Sequence, residues 1–469
     1  MKGLTYIFLI LILSITTFAN YAEASNIREK VCEDLQKKKK LNIKLKQCFN
    51  IANELGQLFV AHVDGYGSDD PISQGYLKLV KDYDVGGVIV QEGMVDDLVE
   101  LKKSLERLKA NQETPLITSI DFLSIPKNER KFDSIFVGIG WDSEEDILNW
   151  RKPNACIKRK AYLTALLQKM TGINTALGPV VEHKWSSDIG AGGLVDNTDQ
   201  TTTEMYFDLK DAYDELGVET TIKHFPFTPE TFNLHRDNKD THIPKEKVMS
   251  MIKIFGDISS RSDIVMTTHI YNSTIDKDNI ATFSETWINL LRAGGFKGLI
   301  MTDGMFMLSK QDKAKIFLSG WPHEQIKLSD FDVLFTAKAI LAGHNLVLLE
   351  GSSGDLKRVF RGILEIIASN TDVGNKLINQ INTSYKSIMD YKSKKGNILR
   401  QDLSYDSSVF NAALELLQDD NLCSRDEDFA NLKHAVKKLQ TESSIMDFDS
   451  LKSEIKDTGI IKPICSDCL

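Results

Sequence analysis

Short apolar runs recur along the chain at 57–60, 85–90, 115–120, 173–181, 220–225, 263–270, 298–302 and 345–349. Most are rich in β-branched residues and apolar on both faces, the pattern of parallel strands covered by helices. Between them lie stretches such as 95–108 and 286–293, whose apolar residues recur at helical spacing. Eight strand–helix units in succession predict an α/β fold, a (β/α)₈ TIM-type barrel spanning residues 55–395. An open doubly wound sheet is the rival. It calls for a glycine-rich phosphate turn after the first strand, and Asp64-Gly65-Tyr66-Gly67 is a poor version of one.

The flanks read differently. Residues 25–54 form a Lys-rich helical lead-in, whose run Lys37 to Lys40 is read as a solvated helix face. After residue 395 the strand pattern stops, and 396–469 read as a polar helical extension ending in Cys465 and Cys468. Residues 1–24 carry a positive start at Lys2, an apolar run from Leu4 to Phe18, and the small-x-small signal Ala22-Glu23-Ala24. That is the pattern of a secretory signal peptide, so the mature chain is expected to be exported, periplasmic or secreted, without stable membrane insertion. A membrane anchor is the alternative, for which the run is short.

Composition narrows the function classes. The chain has 469 residues, 42% hydrophobic and 26% charged, which is ordinary globular usage. A formal net charge of -9 argues against a nucleic-acid partner, which would require a basic footprint. The six cysteines, in an exported chain, suggest disulfides. Cys32 and Cys48 flank a basic helical segment and are placed to staple it, and Cys423 is placed to reach the Cys465–Cys468 tail.

Chemistry in such a barrel sits at the C-terminal ends of the strands. The polar residues there are His62 and Asp64, Asp121, Glu182 and His183, Lys223 and His224, His269 and Tyr271, Asp303, and Glu350. Carboxylates with an adjacent lysine and histidines suit acid–base or nucleophilic chemistry, and they also suit binding of sugar hydroxyls.

Several motifs occur together in order. They are Gly56-Gln57-Leu58-Phe59-Val60, Val85-Gly86-Gly87-Val88-Ile89, Gly172-Ile173-Asn174 through Gly178-Pro179-Val180, and the tetrad Lys223-His224-Phe225-Pro226. Val265 to His269, Gly295 to Asp303 and Ala342 to Leu348 complete the series. The series resembles glycoside hydrolase family 3, specifically its single-barrel β-N-acetylhexosaminidase branch. The resemblance implies a retaining β-glycosidase acting on N-acetylglucosamine-containing glycans, with a carbohydrate substrate, no cofactor and no metal. It makes Asp303 the nucleophile and an Asp–His pair, on a loop after the fifth strand, the acid/base. Asp121, Lys223, His224 and His269 then fall at sugar-binding positions.

The sequence departs from the family pattern in places. Phe227-Thr228-Pro229 replaces Gly-His-Gly after the tetrad, and Leu123 to Pro126 replaces Glu-Gly-Gly-Arg after Asp121. The stretch around Gly190 to Gly193 holds no arginine. Two histidines compete for proton transfer. His235 stands at the family's distance from the tetrad but has Asn233 in place of the carboxylate, with Asp237 nearby. His242 keeps Asp240 two residues earlier, and the Asp240–His242 pair is preferred. A non-catalytic glycan-binding barrel is the alternative function. A metal-dependent hydrolase using His62, Asp64, His224, His269 and Asp303 is a third reading. A monomer is expected.

Overall fold

The computed structural model describes residues 27–63, 74–90, 98–110, 112–121, 153–179, 181, 199–227, 240–259, 261–309 and 330–399. Residues 1–24, expected as a leader, and Asp64, His235, Asp237 and the cysteine-bearing end at 400–469 lie outside them.

The strands are β1 (Phe59–His62), β2 (Gly87–Val90), β3 (Ile117–Asp121), β4 (Thr175–Leu177), β5 (Glu219–Phe225), β6 (Ile264–Thr267), β7 (Leu299–Met301) and β8 (Val347–Leu349). They form one parallel eight-stranded sheet in the order β7-β6-β5-β4-β3-β2-β1-β8. The ring closes between its first and last members. Met301 bridges Leu346, the Thr302 N–H donates to Leu346 O at 3.0 Å, and the Met305 N–H donates to Leu348 O at 3.0 Å. The (β/α)₈ barrel is therefore present. Every residue of β2, β4, β6, β7 and β8 is buried. Helices cover one face and barrel-filling side chains the other, which is why strands such as β2, β7 and β8 read as continuous apolar runs.

Helices alternate with the strands, and α1 (Ile27–Lys37) and α2 (Leu45–Leu55) precede them. A disulfide joins Cys32 to Cys48, a separation of 16 residues. Arg28 pairs with Asp84 at 3.1 Å and Asp34 with Arg361 at 2.6 Å, tying this pair to the barrel's helices. Lys37 to Lys40 are exposed. The covering helices are α3 (Gln74–Tyr83), α4 (Leu98–Ala110), α5 (Pro153–Thr171), α6 (Asp199–Leu216), α7 (Lys245–Ser259) and α8 (Glu285–Ala293). After β7 come α9 (Phe306–Ser309) and α10 (Phe331–Ala342), and after β8 α11 (Ser353–Ala368), α12 (Asp372–Lys394) and α13 (Gly396–Leu399). Their starts are capped by side chains that satisfy orphan amides: Ser284 accepts from Trp287 N, and Asp330 from Asp332 N and Val333 N.

The helices α12 and α13 close the N-terminal end of the barrel. The Ser384 hydroxyl donates to His344 O, just before β8. The buried Lys392 ammonium donates to Gln57 Oε1 and Gly86 O, both at 2.8 Å, ahead of β1 and β2. Lys395 pairs with Glu219 at 2.6 Å and Asp263 at 2.7 Å, at the starts of β5 and β6. The amide of Asn174, ahead of β4, donates to Leu399 O at 3.4 Å. Gly86 has no room for a side chain here, because a Cβ would run into the Gln57 carbonyl. The opposite mouth, where the strands end, stays free of these helices.

Candidate active site

At the C-terminal mouth, Asp121 ends β3 and Lys223 and His224 lie near the end of β5. The Lys223 ammonium, buried, donates to Asp121 Oδ1 at 2.7 Å. This pair spans β4 and fixes the lysine across the mouth. The Asp121 side chain remains 43% exposed, so its carboxylate is partly open to a ligand while neutralising the lysine. The peptides Gly178-Pro179, Lys223-His224 and Phe225-Pro226 are cis. His224 is half-buried.

Asp303 follows β7, half-buried. Its backbone N–H donates to Thr267 O at 3.2 Å, and its Oδ1 accepts the Gly304 N–H at 2.8 Å. Thr302 Oγ1 accepts the Leu348 N–H at 3.0 Å, which holds the segment to β8. Burial by itself would raise the Asp303 carboxyl. The charges of His224, His269 and Lys223, with the Gly304 N–H, outweigh burial and hold it below the usual carboxylate range. The carboxylate is therefore held ionised at neutral pH. Gly304 is packed against the Glu350 carboxylate, with no space for a Cβ.

His269, following β6, is buried at 2% exposure. Its Nδ1 lies 2.7 Å from Thr282 Oγ1 and its Nε2 2.9 Å from Gly304 O. Both ring nitrogens are thus engaged by the protein. Through Nε2 the ring bonds the turn that carries Asp303.

Asp240 and His242 sit on the segment before α7. His242 adopts a left-handed φ of 51°, which turns its N–H back onto Asp240 Oδ1 at 3.0 Å. Its Nδ1 is 3.5 Å from Asp240 Oδ2, and its side chain is 79% exposed. Burial would raise Asp240; the Ser273 hydroxyl and N–H and the His242 N–H outweigh this and lower it. The segment is pinned to the turn after β6. Asp240 bridges Tyr271, the Thr241 N–H donates to Tyr271 O at 3.1 Å, and the Asn272 amide donates to Thr241 Oγ1 at 2.9 Å and Ile243 O at 3.1 Å. Asp240–His242 is thereby attached next to the strand neighbouring that of Asp303. Sequence reasoning passed over Asn272, a fully buried polar residue whose partners lie in another loop.

His62 ends β1 half-buried. Among the described residues no group of three or more His, Cys, Asp or Glu is placed to hold a metal ion, and Asp64 lies outside them. No helix among the described residues is long and apolar enough to cross a membrane.

Residues 50–329 match the model of the glycosyl hydrolase family 3 N terminal domain. The chain belongs to glycosyl hydrolase family 3. A comparison with curated proteins gives no match. Among solved structures, a family 3 β-N-acetylglucosaminidase from Paenibacillus sp. aligns with TM-score 0.55 and 18% identity, over 80% of this chain and 68% of that one. A β-N-acetylhexosaminidase from Beutenbergia cavernae aligns with TM-score 0.54 and 19% identity, over 73% of this chain and 98% of that one. The β-N-acetylglucosaminidase from Thermotoga maritima aligns with TM-score 0.51 and 20% identity, over 71% and 67%. At these identities the likeness is one of fold. Family membership supports a glycosidase and a carbohydrate ligand.

Proposed function

We propose that this family 3 protein is an exported, retaining β-N-acetylhexosaminidase acting on N-acetylglucosamine-containing glycans. The observation that carries the reading is the ionised Asp303 at the end of β7, facing the positive charges of Lys223, His224 and His269. In the first step an Asp303 oxygen attacks the anomeric carbon. The bond to the leaving oxygen breaks as that oxygen takes a proton from His242. In the second step water attacks the anomeric carbon, gives a proton to His242 and releases Asp303. Asp240 orients the imidazole through the contacts at its two oxygens. Lys223, His224 and Asp121 bind sugar hydroxyls. The N-acetyl preference is supported by the fold of the structural neighbours, and export by the leader-like sequence.

The experiment is a panel of chromogenic β-glycosides with wild-type protein and Asp303→Asn. Turnover of the N-acetylglucosaminide, lost by several orders of magnitude in the folded variant, is the expected result, because a whole covalent step disappears. Binding without turnover across the panel would replace the enzyme with a glycan-binding barrel.

A further inference from the structure

Charge is unevenly spread over this molecule. The chain carries a formal net charge of -9, yet residues 36–46, Gln-Lys-Lys-Lys-Lys-Leu-Asn-Ile-Lys-Leu-Lys, hold six lysines and no acid. They form the joint between α1 and α2. From Lys40 onward exposure alternates. Lys40, Asn42, Lys44 and Lys46 are exposed, while Leu41, Ile43 and Leu45 between them are half-buried against the core. The joint is a strap with apolar side chains inward and ammonium groups outward.

The strap is held in place from two sides. The buried Cys32–Cys48 disulfide locks α1 to α2. The Asn42 N–H donates at 2.8 Å to Ala368 O, where α11 gives way to α12 at the foot of the barrel. The strap therefore lies towards the end opposite the mouth.

Local structure accounts for some of these lysines and not for others. Lys37 stands in the last turn of α1, where a cation complements the helix dipole. Lys38 pairs with Asp34 at 2.9 Å, and Lys40 is 3.7 Å from Glu365. Both acids are already held by Arg361, at 2.6 Å and 3.1 Å. Lys39, Lys44 and Lys46 form no ion pair among the described residues. Lys44 is the N-cap of α2 without a capping bond, and Lys46 follows in a first turn that holds no acid. Cations there oppose the helix dipole, so these two lysines work against the helix that carries them.

We propose that this strap docks the protein on an anionic lipid surface. Lysines are point charges without the planar fork that reads one phosphate, and the strap holds no arginine. Ammonium groups on apolar stems, alternating with half-buried Leu41, Ile43 and Leu45, suit a partner with headgroup charge above hydrocarbon. A soluble polyanion offers only the charge. Docking by this end leaves the mouth facing away from the lipid.

The test is sedimentation of the full chain with vesicles of phosphatidylcholine, alone or with about 30 mol% phosphatidylglycerol. Tighter binding is expected on the anionic vesicles, with release between about 0.1 M and about 1 M salt, which shortens screening from ~10 Å to ~3 Å. Lys39→Gln/Lys44→Gln/Lys46→Gln is expected to weaken that binding about 100-fold, at about five-fold per lysine. Because two of these lysines oppose the α2 dipole, the variant is expected to unfold no earlier than wild type on heating. Lys245→Gln/Lys297→Gln/Lys357→Gln, at exposed lysines elsewhere, makes the same change in charge and is expected to bind as wild type. Equal binding to both kinds of vesicle, unchanged binding by the strap variant, or an equal loss in the second variant overturns the proposal. So does capture of soluble polyphosphate in preference to the anionic vesicles. No readout involves turnover, so the outcome is separate from that of the glycosidase reading.

Discussion

The N–H of His242 donates to Oδ1 of Asp240 at 3.0 Å while the imidazole Nδ1 stands 3.5 Å from Oδ2 of the same carboxylate. One side chain thus orients both the backbone and the ring of the residue two positions later. The rest of the imidazole is open to solvent, its side chain 79% exposed.

For His242→Ala, cleavage of a natural-type glycan is expected to slow by roughly 10²- to 10⁴-fold, the usual contribution of general acid catalysis. An activated aryl glycoside, whose leaving group needs no proton, is expected to lose far less in the glycosylation step. Rate ratios measured on the two substrates check this. Equal losses on both, or a selective loss from His235→Ala instead, would remove His242 from the mechanism.

Asn272 is the clamp on that segment, donating to Thr241 Oγ1 and Ile243 O from a fully buried position. Replacing it with alanine removes both bonds and leaves Ile243 O only the longer contact from the Thr274 hydroxyl at 3.2 Å, at a cost of about 1 kcal/mol. In Asn272→Ala, amide exchange at Thr241 and His242 is expected to accelerate while exchange in β2 and β3 is unchanged. Glycan cleavage is expected to fall more than aryl glycoside cleavage. Unchanged exchange at Thr241 would show that Asn272 does not hold the loop.

Lys392 makes stability depend on pH. Burial pushes its ammonium down to about 7 in the folded protein, against 10.5 for an unconstrained lysine. Between these values the unfolded chain binds more protons, so folding stability from this group rises with pH and falls as pH drops towards 7. The wild-type stability relative to Lys392→Met is expected to increase by a few kcal/mol between pH 7 and about pH 9.5. Urea unfolding of both proteins across that range measures it. A stability difference that stays flat would mean that the ammonium is not depressed.

The Cys32–Cys48 disulfide closes a loop of 16 residues joining α1 to α2. Its removal in Cys32→Ser/Cys48→Ser is expected to destabilise by about 3 kcal/mol through the freed unfolded chain, with turnover at low temperature unchanged. Thermal unfolding with and without reductant checks this, and reductant is expected to bring wild type to the level of the variant.

The eight strands were legible because both-face burial writes largely apolar runs, and each of the eight runs overlaps a strand. Their edges were less so. Gln57 reads as the start of β1, yet it lies in a 3₁₀ turn (Gly56–Leu58). Its amide there donates to Asp84 O and its carbonyl accepts from Lys392, 335 residues away. No local pattern encodes such a pairing. The same holds at the mouth. Strand-end position marked Asp121, Lys223, His269 and Asp303, but not that Lys223 would be paired with Asp121 or that the His269 ring would be occupied by Thr282 and Gly304. Lys392 gave no signal, because a lysine on an amphipathic helix reads as solvated. It is buried because α12 crosses the foot of the barrel.

The proposed retaining cleavage requires Asp303 to form a covalent bond to the sugar. The most direct measurement is peptide mapping by mass spectrometry after incubation with a fluorinated N-acetylglucosaminide that slows release of the glycosyl-enzyme. A single sugar adduct on the peptide carrying Asp303, absent from Asp303→Asn, is the expected result of this covalent step. An adduct on another carboxylate, or steady turnover of the natural-type glycan by Asp303→Asn, would contradict it.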